Sequence, residues 1–204
     1  MWFVEDALGL QATCHGAATR NNGRPPCVEA GSTLKFTPRG VKFEILTSTG
    51  SILAISFGER MLEASVRKLF ERYGRLFNQT LGGDMDAREL AALYATCFIA
   101  STPTGLMTGK NNDQMKQVMA QGYARYRAIG TKEMRIRDIR ISPLDEHHCV
   151  AHVAWTGTYA RKDQPDLTVD FDVHYFVRTV DGKSKVFGWV SGDEQELLRK
   201  HGVV

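Results

Sequence analysis

The chain has 204 residues, of which 43% are hydrophobic and 24% are charged, values typical of a globular protein that can bury a core. Its formal net charge of +3 is too small a bias to predict a nucleic-acid or a membrane partner. No apolar run approaches the roughly 20 residues that a membrane-spanning helix needs. Glu5 and Asp6 stand where a signal peptide begins with basic residues, so we expect a cytoplasmic protein.

The positions of cysteine and histidine predict neither a disulfide frame nor a metal site. His148 and His152 would lie on one face of a strand but about 13 Å apart, too far to share a zinc ion. His147 and Cys149 lack an evident third ligand, so we predict no metal and no cofactor. The four cysteines form no CxxC motif and are expected to be reduced thiols: Cys14, Cys27, Cys97 and Cys149.

The pattern of the chain changes near Met61. Residues 1–60 show no sustained helical or strand period, and their two short apolar stretches, 41–46 and 52–57, could each form a strand. We expect residues 1–60 to be a poorly ordered extension or a wrongly assigned start, with translation beginning at Met61. Residues 61–204 would form the folded domain. Mass spectrometry of the native N-terminus separates the two interpretations.

Three helices are predicted in the first half of this domain. Apolar residues recur at spacings of three and four over residues 62–81, and a pair of glycines follows as a stop signal. Asp86 and Glu89 form a capping-box-like start for a short second helix. The third helix is expected to begin near Asn111 and to end before Gly130.

After the third helix the apolar period becomes two, which predicts strands. We expect four strands in an antiparallel meander, with a hairpin turn at Asp181 and Gly182, and a short terminal helix over 193–201. An additional short strand within 97–100 would lead into a turn at 103–105. The four strands are expected at residues 135–142, 148–161, 167–180 and 185–191.

Helices that are segregated from an antiparallel sheet define an α+β domain. We predict three N-terminal helices packed on a strongly curved antiparallel sheet, a cone-shaped α+β roll, with a short C-terminal helix. One face of such a sheet packs on the helices, and the other faces solvent or a partner. Because three helices cannot fill the hollow to its end, a small-molecule pocket is expected in the remaining space.

This arrangement resembles the nuclear transport factor 2-like superfamily, which includes ketosteroid isomerases, polyketide cyclases, scytalone dehydratase and limonene epoxide hydrolase. The resemblance covers residues 61–204 and rests on the order of the elements and on a few local phrases. It implies a homodimer with a conical cavity for a small hydrophobic ligand. The phrases are Glu71-Arg-Tyr73, Gly83-Asp-Met-Asp86 followed by Ala91-Ala-Leu-Tyr94, and Phe171-Asp-Val-His-Tyr-Phe176.

The resemblance also implies site residues. Tyr73 looks like the first-helix tyrosine that donates to the oxyanion in ketosteroid isomerases, and Asp172 looks like the carboxylic acid beside it. Trp189 resembles an aromatic wall of the pocket. Thr102 occupies the position of the aspartate base of those isomerases, and a hydroxyl cannot replace a carboxylate as a proton shuttle near neutral pH. Isomerisation of steroids by that machinery is therefore not expected.

The alternation along residues 169–177 conflicts with a cavity position for Asp172. The apolar residues of this stretch fall on one face, which should point to the core, so Asp170, Asp172 and His174 should point to solvent or to a second subunit. We favour the alternation, because it is a local physical signal. In the other alternative, Asp172 lies in the cavity and burial raises its pKa.

Three functions stay open. The leading prediction is a small-molecule-binding domain whose apolar pocket is lined by Thr102, Trp155 and Trp189; Trp155 stands beside small neighbours on its predicted strand. The second is an isomerase, dehydratase or cyclase that acts on a hydrophobic carbonyl compound by proton transfer, with Tyr73 and Asp172 as catalytic residues. The third is a homodimeric interaction module that uses the outer sheet face.

Overall fold

The computed structural model describes the backbone from Thr49 and the side chains from Gly58 to the C-terminus. Residues 1–48 lie outside the described residues, and so does the predicted strand at 41–46. The described helices are α1 (Thr49–Leu81), α2 (Ala87–Ala91), α3 (Asp113–Ala128) and α4 (Glu194–Lys200). The described strands are β1 (Tyr94–Thr102), β2 (Gly105–Lys110), β3 (Thr131–Pro143), β4 (His148–Arg161), β5 (Gln164–Val180) and β6 (Lys183–Ser191).

Helix α1 begins before Met61 and turns one apolar face to the core. Its backbone is helical from Thr49, so residues 52–57 form helix and not the strand that their composition allows. The predicted end is confirmed, because Gly83 has a φ of +100° and donates its N–H to the Thr80 carbonyl. The buried residues recur at helical spacing: Leu62, Val66, Leu69, Phe70, Tyr73, Leu76, Phe77 and Leu81.

The other helices begin and end close to their predicted positions. The Asp86 carboxylate accepts two backbone N–H groups at the start of α2. Helix α3 begins one residue later than expected, because Asn112 and not Asn111 caps it, and Gly130 follows its end with a φ of +78°. Asp193 caps α4 in the same way as Asp86 caps α2.

The six strands form one mixed sheet in the order β2-β1-β6-β5-β4-β3. The prediction of a wholly antiparallel sheet is wrong, because β1 runs parallel to its neighbour β6. The prediction also lacks β2, which pairs with β1 in a hairpin that closes between Thr102 and Gly105. The interval that the prediction leaves between the strands at 148–161 and 167–180 is shorter in the structure, since Gln164 already pairs with Arg161.

Irregular strand pairing and one asparagine side chain help helix α1 to pack on the sheet. The register shifts twice within β3 and once between β5 and β6, and such bulges bend and twist a sheet. At the edge strand β3, the Asn78 side chain of α1 donates to the Met134 carbonyl and accepts the Met134 N–H, both at 2.9 Å. This contact satisfies backbone groups that an edge strand otherwise leaves open.

The core lies between the helices and the inner face of the sheet. Tyr73, Trp155, Tyr175 and Trp189 are all buried there. Along β5 the residues alternate between buried and exposed as predicted, with Tyr175 inside and Asp172 outside. The result is an α+β fold with a mixed sheet. Among the described residues, no helix is long and apolar enough to span a membrane.

Candidate ligand-binding site

A partly open cavity lies between the helices and the inner sheet face. It contains about 230 Å³ of empty space, counted with its open side. Most of this space is open to solvent, and the enclosed part has room for about one water molecule. All of its lining side chains except one methionine are aromatic: Tyr73, Phe77, Tyr126, Met134, Trp155, Phe171 and Tyr175.

Three tyrosine hydroxyls lie together at the cavity. The Tyr94 hydroxyl donates to the Tyr73 hydroxyl at 3.1 Å, and the Tyr175 hydroxyl lies near that of Tyr73. The three side chains come from β1, α1 and β5, and all three are buried. Tyr73 and Tyr175 also line the cavity, so their hydroxyls can meet a ligand there.

Trp155 places a second polar group at the same point. Its ring lies 5.7 Å from the Tyr73 ring, centroid to centroid, and its indole N–H lies near the Tyr175 hydroxyl. The indole nitrogen is buried and has no hydrogen-bond partner within bonding geometry among the described residues. A buried donor without an acceptor costs free energy, so this N–H marks a place for an acceptor from outside the chain.

The three hydroxyls stay protonated near neutral pH. Burial raises the pKa of Tyr73 and of Tyr94 well above the ordinary value, and the nearby Tyr175 raises both pKa values further. Burial also raises the pKa of Tyr175. These groups therefore act as neutral hydrogen-bond donors, and none of them can accept a proton as a base.

A family model described as "NTF2-like protein (DUF6841)" matches residues 63–194, more than half of the chain. The chain belongs to this NTF2-like family. The resemblance to nuclear transport factor 2-like proteins is thus confirmed. No curated protein matches the chain.

Two solved structures illustrate how this NTF2-like protein compares with known folds. An NTF2-like protein with a cystatin-like fold from Novosphingobium aromaticivorans is 13% identical, covers 78% of this chain and 98% of its own, and gives a TM-score of 0.55. A candidate scytalone dehydratase from the same organism is 17% identical and gives a TM-score of 0.51. The match covers 66% of this chain and 85% of the dehydratase chain. Likeness at this level of identity shows the fold alone.

The structure does not bring Asp172 to Tyr73. Asp172 lies on the outer face of β5 with 64% of its side chain exposed, and one of its oxygens is 3.9 Å from the Arg137 guanidinium. In this NTF2-like protein the residue therefore lacks the cavity position that the resemblance implies. The alternation along β5 predicts its direction correctly.

Thr102 and Trp189 also lie away from the cavity lining. Thr102 ends β1, and its hydroxyl lies 2.7 Å from the Thr104 hydroxyl at the tip of the β1–β2 hairpin. Trp189 is buried in the core, where its ring stacks on Phe98 at 5.3 Å and contacts Tyr94 edge-on. Among the predicted pocket residues, the cavity includes Trp155, together with Tyr73 from the predicted catalytic pair.

A buried carboxyl that sequence reasoning missed stands behind the cavity wall. Glu194, at the start of α4, accepts a hydrogen bond from Tyr126, whose ring lines the cavity. Burial raises the pKa of Glu194 to about 7, although Tyr126 and Arg125 oppose the shift. Its Oε2 atom is buried without a hydrogen-bond partner among the described residues. The position looks like an ordinary first-turn acid in the sequence, so no local signal distinguishes it.

Proposed function

We propose that this NTF2-like protein binds a small aromatic compound that presents an acceptor oxygen such as a carbonyl, and that the lining side chains move apart to admit its ring. The observation that carries the proposal is the unpaired indole N–H of Trp155, buried beside the Tyr175 hydroxyl in an aromatic cavity. The aromatic walls supply apolar contact, and the two donors give the ligand its orientation. This proposal makes the predicted small hydrophobic ligand more specific.

Binding fits the cavity better than proton transfer does. A proton-transfer enzyme needs a base within hydrogen-bond reach of its substrate. The described lining residues include no carboxylate, imidazole or thiol. The raised pKa of Tyr73 suits a donor and not a base.

The enzymatic alternative rests on one observation, the Glu194 carboxyl. Its pKa of about 7 suits a general acid or base, and it contacts the cavity wall through Tyr126. An isomerase, dehydratase or cyclase of this kind would turn over a hydrophobic carbonyl compound, and Glu194→Gln would lower the rate. Incubation of the protein with a panel of single-ring enones, followed by chromatography, tests this alternative. If no compound of the panel is converted, the result argues for binding without catalysis.

Calorimetric titration with acetophenone and ethylbenzene tests the binding proposal. The two compounds have similar apolar area, but only acetophenone has an acceptor oxygen. We expect acetophenone to bind about tenfold more tightly, since one hydrogen bond to an otherwise unpaired buried donor is worth about 1–3 kcal/mol. Trp155→Phe should remove that preference, and Trp189→Phe, at a buried tryptophan outside the lining, should retain it. Equal binding of the two compounds, or no saturable binding of either, would overturn the proposal.

We also propose that a second copy covers one end of the outer sheet face. Large apolar side chains are exposed there on three neighbouring strands: Leu106 by 64%, Ile99 by 47% and Val190 by 38%. Exposed apolar patches are typical of interaction sites. Sedimentation equilibrium should give the mass of a dimer, and Leu106→Lys should shift it toward the monomer. A monomer at all concentrations would contradict this proposal.

A further inference from the structure

His152 and His174 face each other on the outer side of the sheet. They are directly paired in the β4–β5 register. Their Nδ1 atoms are 3.0 Å apart, and their ring centroids are 4.8 Å apart with planes inclined at 70°. His174 is exposed and His152 is half-buried, so the pair can be reached from solvent. Two imidazole nitrogens thus converge on one point of the surface.

Ser142 on β3 can fix the tautomer of this pair. Its Oγ lies 3.1 Å from Nε2 of His152 and also accepts a hydrogen bond from Arg140 at 3.2 Å. With its second lone pair, Ser142 can accept the Nε2–H of His152, and in that tautomer Nδ1 of His152 carries a free lone pair. Metal-binding histidines commonly have their other ring nitrogen held in this way.

The distance between the two Nδ1 atoms suits one coordination geometry. Bonds of about 2.0–2.1 Å from a metal to two imidazole nitrogens place those nitrogens about 2.9 Å apart at a right angle and about 3.3 Å apart at the tetrahedral angle. The observed 3.0 Å is close to the right-angle value. Square-planar and tetragonal sites of nitrogen and oxygen ligands select Cu²⁺ or Ni²⁺, and Cu²⁺ binds most tightly in the divalent series.

We propose that His152 and His174 chelate a Cu²⁺ ion through their two Nδ1 atoms, in adjacent equatorial positions. Water or a ligand from solution completes the coordination, because the described residues contain no group of three or more metal-binding side chains. The metal displaces the proton that the two nitrogens share and lies to one side of the line between them, because its bonds of about 2.0–2.1 Å are longer than half of their separation. That proton leaves Nδ1 of His174 for solvent while Nε2 of the same ring takes one up, so the pair stays neutral.

The neighbouring charges set the strength of this site. Arg140, which donates a hydrogen bond to Ser142 beside His152, repels a divalent cation. Asp172 lies on the same face of β5 but is 3.9 Å from Arg137, which partly offsets its charge. Removal of the Arg140 charge should therefore strengthen metal binding.

Titration of the untagged full chain with Cu²⁺ tests the proposal, by calorimetry and by electron paramagnetic resonance. We expect one Cu²⁺ ion to bind tightly to each chain. Its resonance spectrum should show two nitrogen ligands in equatorial positions. His174→Asn should weaken binding at least about tenfold, and His147→Asn, at an exposed histidine outside the pair, should leave it unchanged. Circular dichroism checks that each variant is folded, and the exposed position of His174 makes that substitution safe for the fold.

Two further results separate this pair from adventitious binding. Arg140→Gln should tighten Cu²⁺ binding, which a site elsewhere on the surface would not show. Zn²⁺ should bind more weakly than Cu²⁺, as the divalent order and the right-angle geometry require. An unchanged affinity in His174→Asn, a spectrum with fewer than two nitrogens, or tighter binding of Zn²⁺ would overturn the proposal.

Discussion

The buried Tyr73 hydroxyl accepts the hydrogen bond of Tyr94 at 3.1 Å. Tyr73→Phe removes this acceptor while the ring stays in place. We expect the free energy of unfolding to fall by about 1–2 kcal/mol, the usual cost of a lost buried hydrogen bond. Urea denaturation measures this loss. Tyr123→Phe, at a buried tyrosine outside this hydrogen bond, is the control and should cost clearly less.

Glu194 makes stability depend on pH. Its folded pKa of about 7 lies above the ordinary value of 4.5, so the folded state holds this proton more tightly than the unfolded state does. The stabilising contribution of the bound proton is complete below pH 4.5 and is lost as the pH rises toward 7. Glu194→Gln keeps the shape without the charge, so it should stabilise the protein at pH 8 by up to about 3 kcal/mol and have little effect at pH 4.

Denaturant unfolding of Glu194→Gln at the two pH values checks this dependence. Glu133→Gln, at an exposed position on β3, is the matched control and should show no such difference. Equal effects of Glu194→Gln at pH 4 and pH 8 would mean that the carboxyl is not desolvated in the folded protein.

At the scale of elements, the hairpin of β1 and β2 depends on one glycine. Gly109 pairs with Phe98, and an added Cβ at Gly109 would lie 2.3 Å from the Phe98 ring. The ring cannot easily move aside, because it stacks on Trp189 in the core. Gly109→Ala should lower the free energy of unfolding by about 1–3 kcal/mol.

Thermal denaturation of Gly109→Ala measures that loss. Gly105→Ala, in the same strand, is the control, because a Cβ there would meet nothing within 4 Å. An equally small loss of stability in both variants would contradict the close approach of the Phe98 ring to Gly109.

The elements differ in how far the sequence predicts them. The alternation along β5 and the caps at Asp86 and Gly83 are local signals, so these elements lie where the sequence places them. Strand β2 lacks such a signal, since its six residues include two glycines, and its two apolar residues are adjacent and do not alternate with polar ones. Its position depends on pairing with β1, and the parallel contact of β1 with β6 joins residues far apart in the chain. Long-range pairing of this kind is not visible in a local pattern.

At the scale of the whole molecule, the cavity assembles side chains from five elements. Tyr73 and Trp155 can be chosen from the sequence, the first by resemblance and the second by its place on a strand. Tyr175 and Phe171 appear only as members of an apolar face, and their role depends on where α1 crosses the sheet. Glu194 lies more than sixty positions from Tyr126, so only the folded chain brings the two together. The fold can therefore be predicted from the family resemblance, whereas the hydrogen-bond donors of the cavity are identified from the folded chain.

The central claim is that an acceptor-bearing aromatic compound binds beside Trp155. Fluorine NMR of the protein labelled with 5-fluorotryptophan tests it directly, because the chain has only three tryptophans and Trp155→Phe identifies one resonance. On titration with acetophenone, we predict a saturable shift of the Trp155 resonance, with a much smaller change for Trp189. A Trp155 resonance that does not move, or an equal drift of every tryptophan resonance, would contradict the claim.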